Sequence, residues 1–266
     1  MFSSISVDIV TITAKIDDAL FTTLSNVSQQ QYGRINHIVI YHQASDTELE
    51  QLRIYHQTHS QEKNSQGKNL EFYPQKGSGI ATAFNDGIKH SQGALVLFLN
   101  SGDTLVRDDV IARVVDSYSQ HEWLWGTGET ISVSRHKYLK RHCKQPDPWG
   151  ETLFWYGNPV CHQSTFYSRR LIEKIGLYRE DLSMGMDYEY NVRANFIAHP
   201  TLLPFPVAYY DTTGVSSIKV FQQFANHRRI RDRYFRLTWF KRLKVDAYCL
   251  LKSCYRLAMI PAKLLL

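Results

Sequence analysis

An α/β fold, a doubly wound and mostly parallel sheet flanked by helices, is predicted for this chain, and three observations carry the prediction. Short apolar, β-branched runs alternate with stretches of helical spacing. The run at residues 94 to 99 is apolar throughout, as a strand covered on both faces must be. Asn100, Ser101, Gly102 and Asp103 follow it directly, which sets a carboxylate at the carboxyl edge of a central strand, where open α/β sheets bind ligands.

Taken in order, residues 5 to 12 are β-branched and close with Thr11 and Thr13, giving the first strand. Residues 17 to 31 carry apolar positions at Ala19, Leu20, Leu24 and Val27 behind a capping acid, giving a helix. Residues 37 to 41 form the second strand, and Asp46 caps a helix through Leu49 and Leu52. The polar residues 57 to 69 lack periodicity and read as a surface loop. A third strand spans residues 70 to 73 and ends at Pro74. Glycines at 77 and 79 then open a helix with Ile80, Ala83, Phe84 and Ile88 on one face, and Gly93 turns the chain into the central run.

Beyond Asp103 the spacing predicts a helix over residues 107 to 119 and a short aromatic strand over 123 to 126. Arg135, His136, Lys137, Lys140, Arg141, His142 and Lys144 form a basic cluster, either a solvated face or a phosphate contact. Trp149, Phe154, Trp155 and Tyr156 serve either the core or as a flat platform for a sugar ring. Residues 201 to 210 contain two prolines and are expected at a sheet edge.

Hydrophobic content of 43% with 21% charged residues, over 266 residues, is that of a globular protein with a sizeable core, which excludes a disordered chain. The net charge of +6 is unevenly placed: residues 218 to 266 carry +10, leaving −4 on the rest. This tail interleaves Lys and Arg with Phe221, Phe224, Phe235, Trp239, Phe240 and Leu243, and is expected to be a basic amphipathic helical extension lying on an anionic bilayer surface. Its apolar runs are too short to span. Packing back on the body or on a second subunit is the other use of such a helix. No nucleic-acid motif accompanies the basic residues, and the mildly acidic body argues against a general polyanion binder. Cys143, Cys161, Cys249 and Cys254 lack zinc-site spacing. With no signal peptide at the start, they are expected to be reduced thiols in a cytoplasmic protein.

Gly79-Ile80-x-x-Ala83-x-Asn85-x-Gly87-Ile88, followed by Phe98-Leu99-Asn100-x-Gly102-Asp103, resembles the family 2 glycosyltransferases of the GT-A fold. A second stretch, Cys161-His162-Gln163-Ser164-Thr165-Phe166 and then Met186-Asp187-Tyr188-Glu189-Tyr190-x-x-Arg193, is similar to the acceptor half of that family. Asp211-Thr-Thr-Gly-Val-Ser216 resembles its closing turn near the diphosphate, so the resemblance covers most of residues 5 to 217. It implies a nucleotide-sugar-binding half over residues 1 to 103 and an acceptor half over 104 to 217. It implies donor contacts at Thr11, Tyr41, Gly79, Asn85, Asn100 and Asp103, and a divalent cation, Mg2+ or Mn2+, on Asp103. Asp187 takes the position of the general base, with His162, Gln163, Glu189 and Arg193 on the acceptor side.

The acid usually found just after the second strand, which contacts the base, is absent. Either Asp46 shifts into that role, or Tyr41 stacks on the base with Gln43 at its edge, or Asp46 only caps its helix. Asn100 and Gly102 stand where many relatives carry acids, which implies a cation site poor in charge. The expected activity is inverting transfer from a nucleotide-diphosphate sugar, of the UDP-sugar type, to a hydroxyl of a lipid-linked glycan at the inner face of the cytoplasmic membrane, as in polysaccharide or lipopolysaccharide biosynthesis. The competing expectations are a GT-A-like binding protein without turnover and a nucleotidyltransferase; the Gly-rich signature of the latter is missing from residues 7 to 18.

Overall fold

The computed structural model describes residues 5–63, 67–133, 140–211 and 220–258. Its sheet is organised about β4 (Leu95–Phe98), whose four residues are all buried. Val96 and Phe98 face one core cluster while Leu95 and Leu97 face another, so the pleat sends apolar side chains to both sides. The unbroken apolar run follows from that placement.

The first half of the sheet is parallel. β1 (Val7–Thr13) lies between β2 (Ile35–Tyr41) and β4, and β3 (Asn69–Pro74) flanks β2. Chain order thus reverses between β1 and β4, which opens a crevice at their carboxyl ends. α1 (Asp18–Ser28) starts where Asp17 accepts hydrogen bonds from the Ala19 and Leu20 amides, and it buries Leu20, Leu24 and Val27. α3 (Ile80–His90) crosses β1 at Gly87, where a Cβ would stand 2.2 Å from a Val10 methyl. Only glycine permits that approach.

The second half is mixed. β5 (Thr104–Leu105) and α4 (Val110–His121) lead to β6 (Trp125–Val133), with β7 (Lys140–Cys143) antiparallel on it. β8 (Thr165–Ser168) joins β4 to β6 antiparallel, and α5 (Arg169–Ile175) and α6 (Met186–Ile197) follow. β9 (Thr201–Asp211) runs parallel to β6, and the order across the sheet is β3-β2-β1-β4-β8-β6-β9-β5.

Three expectations are corrected. α2 (Asp46–Lys63) continues as helix through residues 57 to 63, where a loop was expected. Its Gln, Glu and Lys residues favour helix without supplying an apolar stripe, so periodicity could not register them. β6 runs well past residue 126, because Gly126 and Gly128 interrupt the β signal without ending the strand. β9 is not the edge: β5 lies outside it, but pairs only with Tyr209 and Ala208, leaving Pro204 and Pro206 on a stretch with an irregular register.

The tail is two helices rather than one, α7 (Val220–Tyr234) and α8 (Trp239–Ala258). Ile230 and Phe235 enter the core cluster of α3 and α6. Arg231 is 2% exposed and bridges Asp232 to Asp246 of α8, which locks the helices together. Packing on the body is therefore what α7 does. No helix among the described residues is long and apolar enough to cross a membrane.

Candidate active site

The turn after β4 is shaped by α1. Thr23 accepts a hydrogen bond from the Gly102 amide at 2.9 Å and donates to the Asp103 carbonyl at 2.8 Å, while Gly102 takes a φ of 91°. Asn26 holds the next residues by bonding both the amide and the carbonyl of Leu105. The turn therefore points Asn100 toward the mixed half of the sheet, where its Nδ2 lies 3.1 Å from His162 Nε2. Asp103 beside it is buried, at 3% exposed.

Asp187 stands in the first turn of α6 with its side chain 30% exposed. Asn158 Nδ2 donates to Asp187 Oδ2 at 2.9 Å, and His162 Nδ1 lies 4.0 Å from the same oxygen. Asn158 is itself held by Asn191 at 3.1 Å, which accepts from the Tyr167 hydroxyl at 2.6 Å. Both described contacts of the Asp187 carboxylate fall on Oδ2.

These contacts run from Asn100 through His162 to Asp187, so residues far apart in sequence meet at one crevice. Cys161 lies within electrostatic reach of both carboxylates. Burial pushes its thiol up to about 11, and the carboxylates of Asp187 and Asp103 both add to that shift. Burial also holds His162 below the ordinary imidazole value, against the pull of Asp187.

Several residues expected at the site do other work. Thr11 is fully buried with its hydroxyl 2.8 Å from His37 Nε2, a contact between β1 and β2. Asn85 bonds the amide and carbonyl of Tyr178 and the Glu180 carboxylate, so it fastens α3 to the segment before α6 rather than facing a donor. Gln163 is 2% exposed, within the wall. Glu189 and Arg193 form a buried bidentate pair, with Tyr234 donating to Glu189 and Arg193 donating to the Leu177 carbonyl at 2.8 Å. Glu189 is 1% exposed and touches no open space. Removing Glu189 leaves Arg193, 18% exposed, without its counter-charge and Tyr234 without its acceptor, so Glu189→Ala is expected to cost about 1–3 kcal/mol in urea unfolding.

Gly79 opens α3 at φ 96° and ψ 155°, a conformation reserved for glycine, and a Cβ there would meet nothing within 4 Å. Tyr41 is half-buried at the end of β2 against the third core cluster. Phe154 is buried in the core and Trp149 bonds Asn195, whereas Tyr156 is exposed. Of the basic cluster, Arg135, His136 and Lys137 lie outside the described residues; His142 is exposed and pairs with Glu129 at 2.8 Å. The expected turn at residues 212 to 216 also lies outside them. Thr23, Asn158 and Asn191 carried no signal in the sequence.

Among the described residues no group of three or more His, Cys, Asp or Glu side chains could hold a metal. The crevice does contain a buried acceptor without a hydrogen-bond partner, Asn100 Oδ1. An unpartnered amide oxygen near a carboxylate suits a hard cation that takes its other ligands from a bound phosphate and water.

The profile of the family described as "Glycosyl transferase family 2" matches residues 8–176. The chain belongs to that family. An uncharacterized glycosyltransferase of Mycobacterium tuberculosis is 30% identical over 254 residues, covering 93% of this chain and 91% of its own. A PGL/p-HBAD biosynthesis glycosyltransferase of Mycobacterium bovis is 23% identical over 225 residues, covering 80% and 79%. Among solved structures, the Pyrobaculum calidifontis mannosyltransferase PcManGT, in complex with GDP-Man and Mn2+, superposes with a TM-score of 0.64 at 16% identity, covering 99% of this chain and 75% of that one. S. aureus TarS 1-349 in complex with UDP-GlcNAc gives 0.63 at 14% identity, covering 92% and 71%. The family 2 glycosyltransferase is thus of the GT-A type, a mixed α/β sheet flanked by helices.

Proposed function

We propose that this family 2 glycosyltransferase moves a sugar, with inversion, from a nucleotide-diphosphate donor of the UDP-sugar type to a hydroxyl of a lipid-linked glycan. The observation that carries the reading is the contact chain from Asn100 through His162 to Asp187, which sets a partly exposed carboxylate across the crevice from the turn after β4. Asp187 Oδ1 takes the acceptor proton as the hydroxyl attacks the anomeric carbon, while Asn158 holds Oδ2. Direct attack from the face opposite the leaving diphosphate inverts the anomeric centre. Asp103 and Asn100 Oδ1 would hold a Mg2+ or Mn2+ ion together with the donor phosphates, and that ion supplies charge stabilisation of the departing nucleotide. The complexes of PcManGT with GDP-Man and Mn2+ and of TarS with UDP-GlcNAc support a nucleotide-sugar donor.

The test is incubation with a panel of nucleotide sugars and Mn2+, following free nucleotide. Release with at least one donor supports the transferase; saturable donor binding without release supports a binding protein instead.

The same reading keeps the protein at the cytoplasmic face of a membrane through α8. Trp239, Leu243, Leu251 and Tyr255 are 77%, 59%, 71% and 67% exposed, and Lys241, Lys244 and Lys252 are exposed beside them. An apolar face edged by lysines suits an anionic bilayer surface. Deleting the whole tail would strip Ile230 and Phe235 from the core, so the informative variant is Leu243→Glu with Leu251→Glu. It is expected to lose flotation with vesicles containing phosphatidylglycerol while keeping its circular dichroism; unchanged flotation rejects the α8 contact.

A further inference from the structure

A cavity of about 190 Å³ lies between α7, α8 and the 3-10 turn Glu151–Tyr156. Trp155, Tyr156, Asn158, His227, Arg228 and Lys252 are among its walls. It is smaller than a drug-sized ligand site, which starts at about 300 Å³, and matches one sugar ring or one small charged group.

Its charge is one-sided. Among the described residues no carboxylate lines it. Arg228 and Arg231 are balanced from behind by Asp246, at 3.1 and 2.8 Å, and Asp232 adds a second contact to Arg231. Lys252 makes no ion pair among the described residues, so the wall keeps an uncompensated positive charge. Tyr156 presents an aromatic ring beside it, held by Tyr248 of α8 at 5.2 Å between centroids. An ammonium and a guanidinium from separate helices suit an anion with oxygens pointing several ways, as a phosphoryl group has.

One wall residue of the cavity is shared with the surroundings of Asp187. Asn158 lines it and donates to Asp187 Oδ2 at 2.9 Å. His227 seats α7 over the start of α6, since a Cβ on Gly157 or Gly185 would stand 3.2 Å from its ring. On the opposite side, Lys252 neighbours Tyr248 and Tyr255 of the exposed α8 face by helical spacing.

We propose that this pocket binds the phosphoryl group of a phosphorylated sugar acceptor, with the sugar extending past Tyr156 and Asn158 toward Asp187. The assignment deepens the transferase reading and rests on it for the role of Asp187. It makes the acceptor an anion recognised by α7 and α8 together, so the tail is part of the acceptor site. The phosphoryl group belongs either to a lipid phosphate, whose chain leaves along α8, or to a water-soluble sugar phosphate.

Two probes separate those sources: farnesyl phosphate in neutral detergent against farnesol, and glucose 1-phosphate against glucose, each titrated calorimetrically. At least one phosphorylated probe should bind about tenfold or more tighter than its neutral counterpart, the scale of one charge-assisted contact. Lys252→Glu should abolish that preference, and Asp103→Asn should leave it intact. Lys252 is exposed, so its replacement does not disturb the core, and Lys252→Ala gives the same direction without a new charge. A preference confined to farnesyl phosphate identifies a lipid source, and one confined to glucose 1-phosphate a soluble source. No preference for either, or a preference surviving Lys252→Glu, overturns the proposal, as does one lost only in Asp103→Asn, which puts the anion in the donor crevice. Failure of the transferase reading shows separately, as no nucleotide release from any donor while Lys252-dependent binding persists.

Discussion

Asp187→Asn is expected to lower kcat for transfer by about 10²- to 10⁴-fold, the range of a positioned general base, while leaving donor affinity unchanged. The structure makes this a clean substitution. Both described contacts of the carboxylate fall on Oδ2, from Asn158 and His162, so an amide oxygen there keeps the Asn158 bond. What disappears is the proton acceptor at Oδ1. Because the side chain is 30% exposed in the first turn of α6, no buried charge is stranded and the fold should survive. The neutral His162 predicted by its burial cannot substitute from 4.0 Å, since its Nε2 already faces Asn100. Steady-state kinetics with donor and acceptor varied separately decides the matter: a rise in donor KM with kcat unchanged would make Asp187 a binding residue and sink its role as base.

The parallel half of the sheet was legible because β1 and β2 are rich in Val, Ile and Thr and β4 is apolar throughout, while the short β3 is marked by Leu70, Phe72 and Tyr73 and closed by Pro74. The turn from Asn100 to Asp103 was legible for a related reason, since glycine and asparagine so close to a buried strand declare a tight turn. What the residue types could not disclose was direction. Asn85, Glu189 and Arg193 have the chemistry of ligand contacts, yet each is consumed by a bond to the body. A polar group is forced into such a bond whenever burial removes water, and burial is a property of the packed chain. Asn158 shows the converse. Its neighbours Gly157 and Pro159 mark it as loop, and only the approach of α6 gives it Asp187 as a partner. The tail was legible in part: composition revealed its charge, its amphipathicity and packing on the body as one of its uses, but the division into α7 and α8, bridged by Arg231 to Asp232 and Asp246, is set by the packed chain.

Asp103→Asn should remove most nucleotide release from the donor, by on the order of 10³-fold, because electrostatic stabilisation of a departing diphosphate by a bound cation is worth several kcal/mol. The turn itself should persist. Thr23 and Asn100 hold residue 103 through its backbone carbonyl and amide, at 2.8 and 3.0 Å, and those bonds are blind to the side chain. Asn100→Ala probes the other oxygen. Its Oδ1 is buried without a hydrogen-bond partner, so loss of that atom costs the apo protein little; the substitution also removes the Nδ2 contact with His162 at 3.1 Å, and the loaded site loses a neutral ligand. The expected pattern is therefore graded: a large loss in Asp103→Asn, a smaller loss in Asn100→Ala that added Mn2+ partly restores, and loss in the wild type on chelation with EDTA. Release that survives both EDTA and Asp103→Asn would mean that the leaving diphosphate is stabilised by side chains alone, and the crevice would then need a cation-free account of its chemistry.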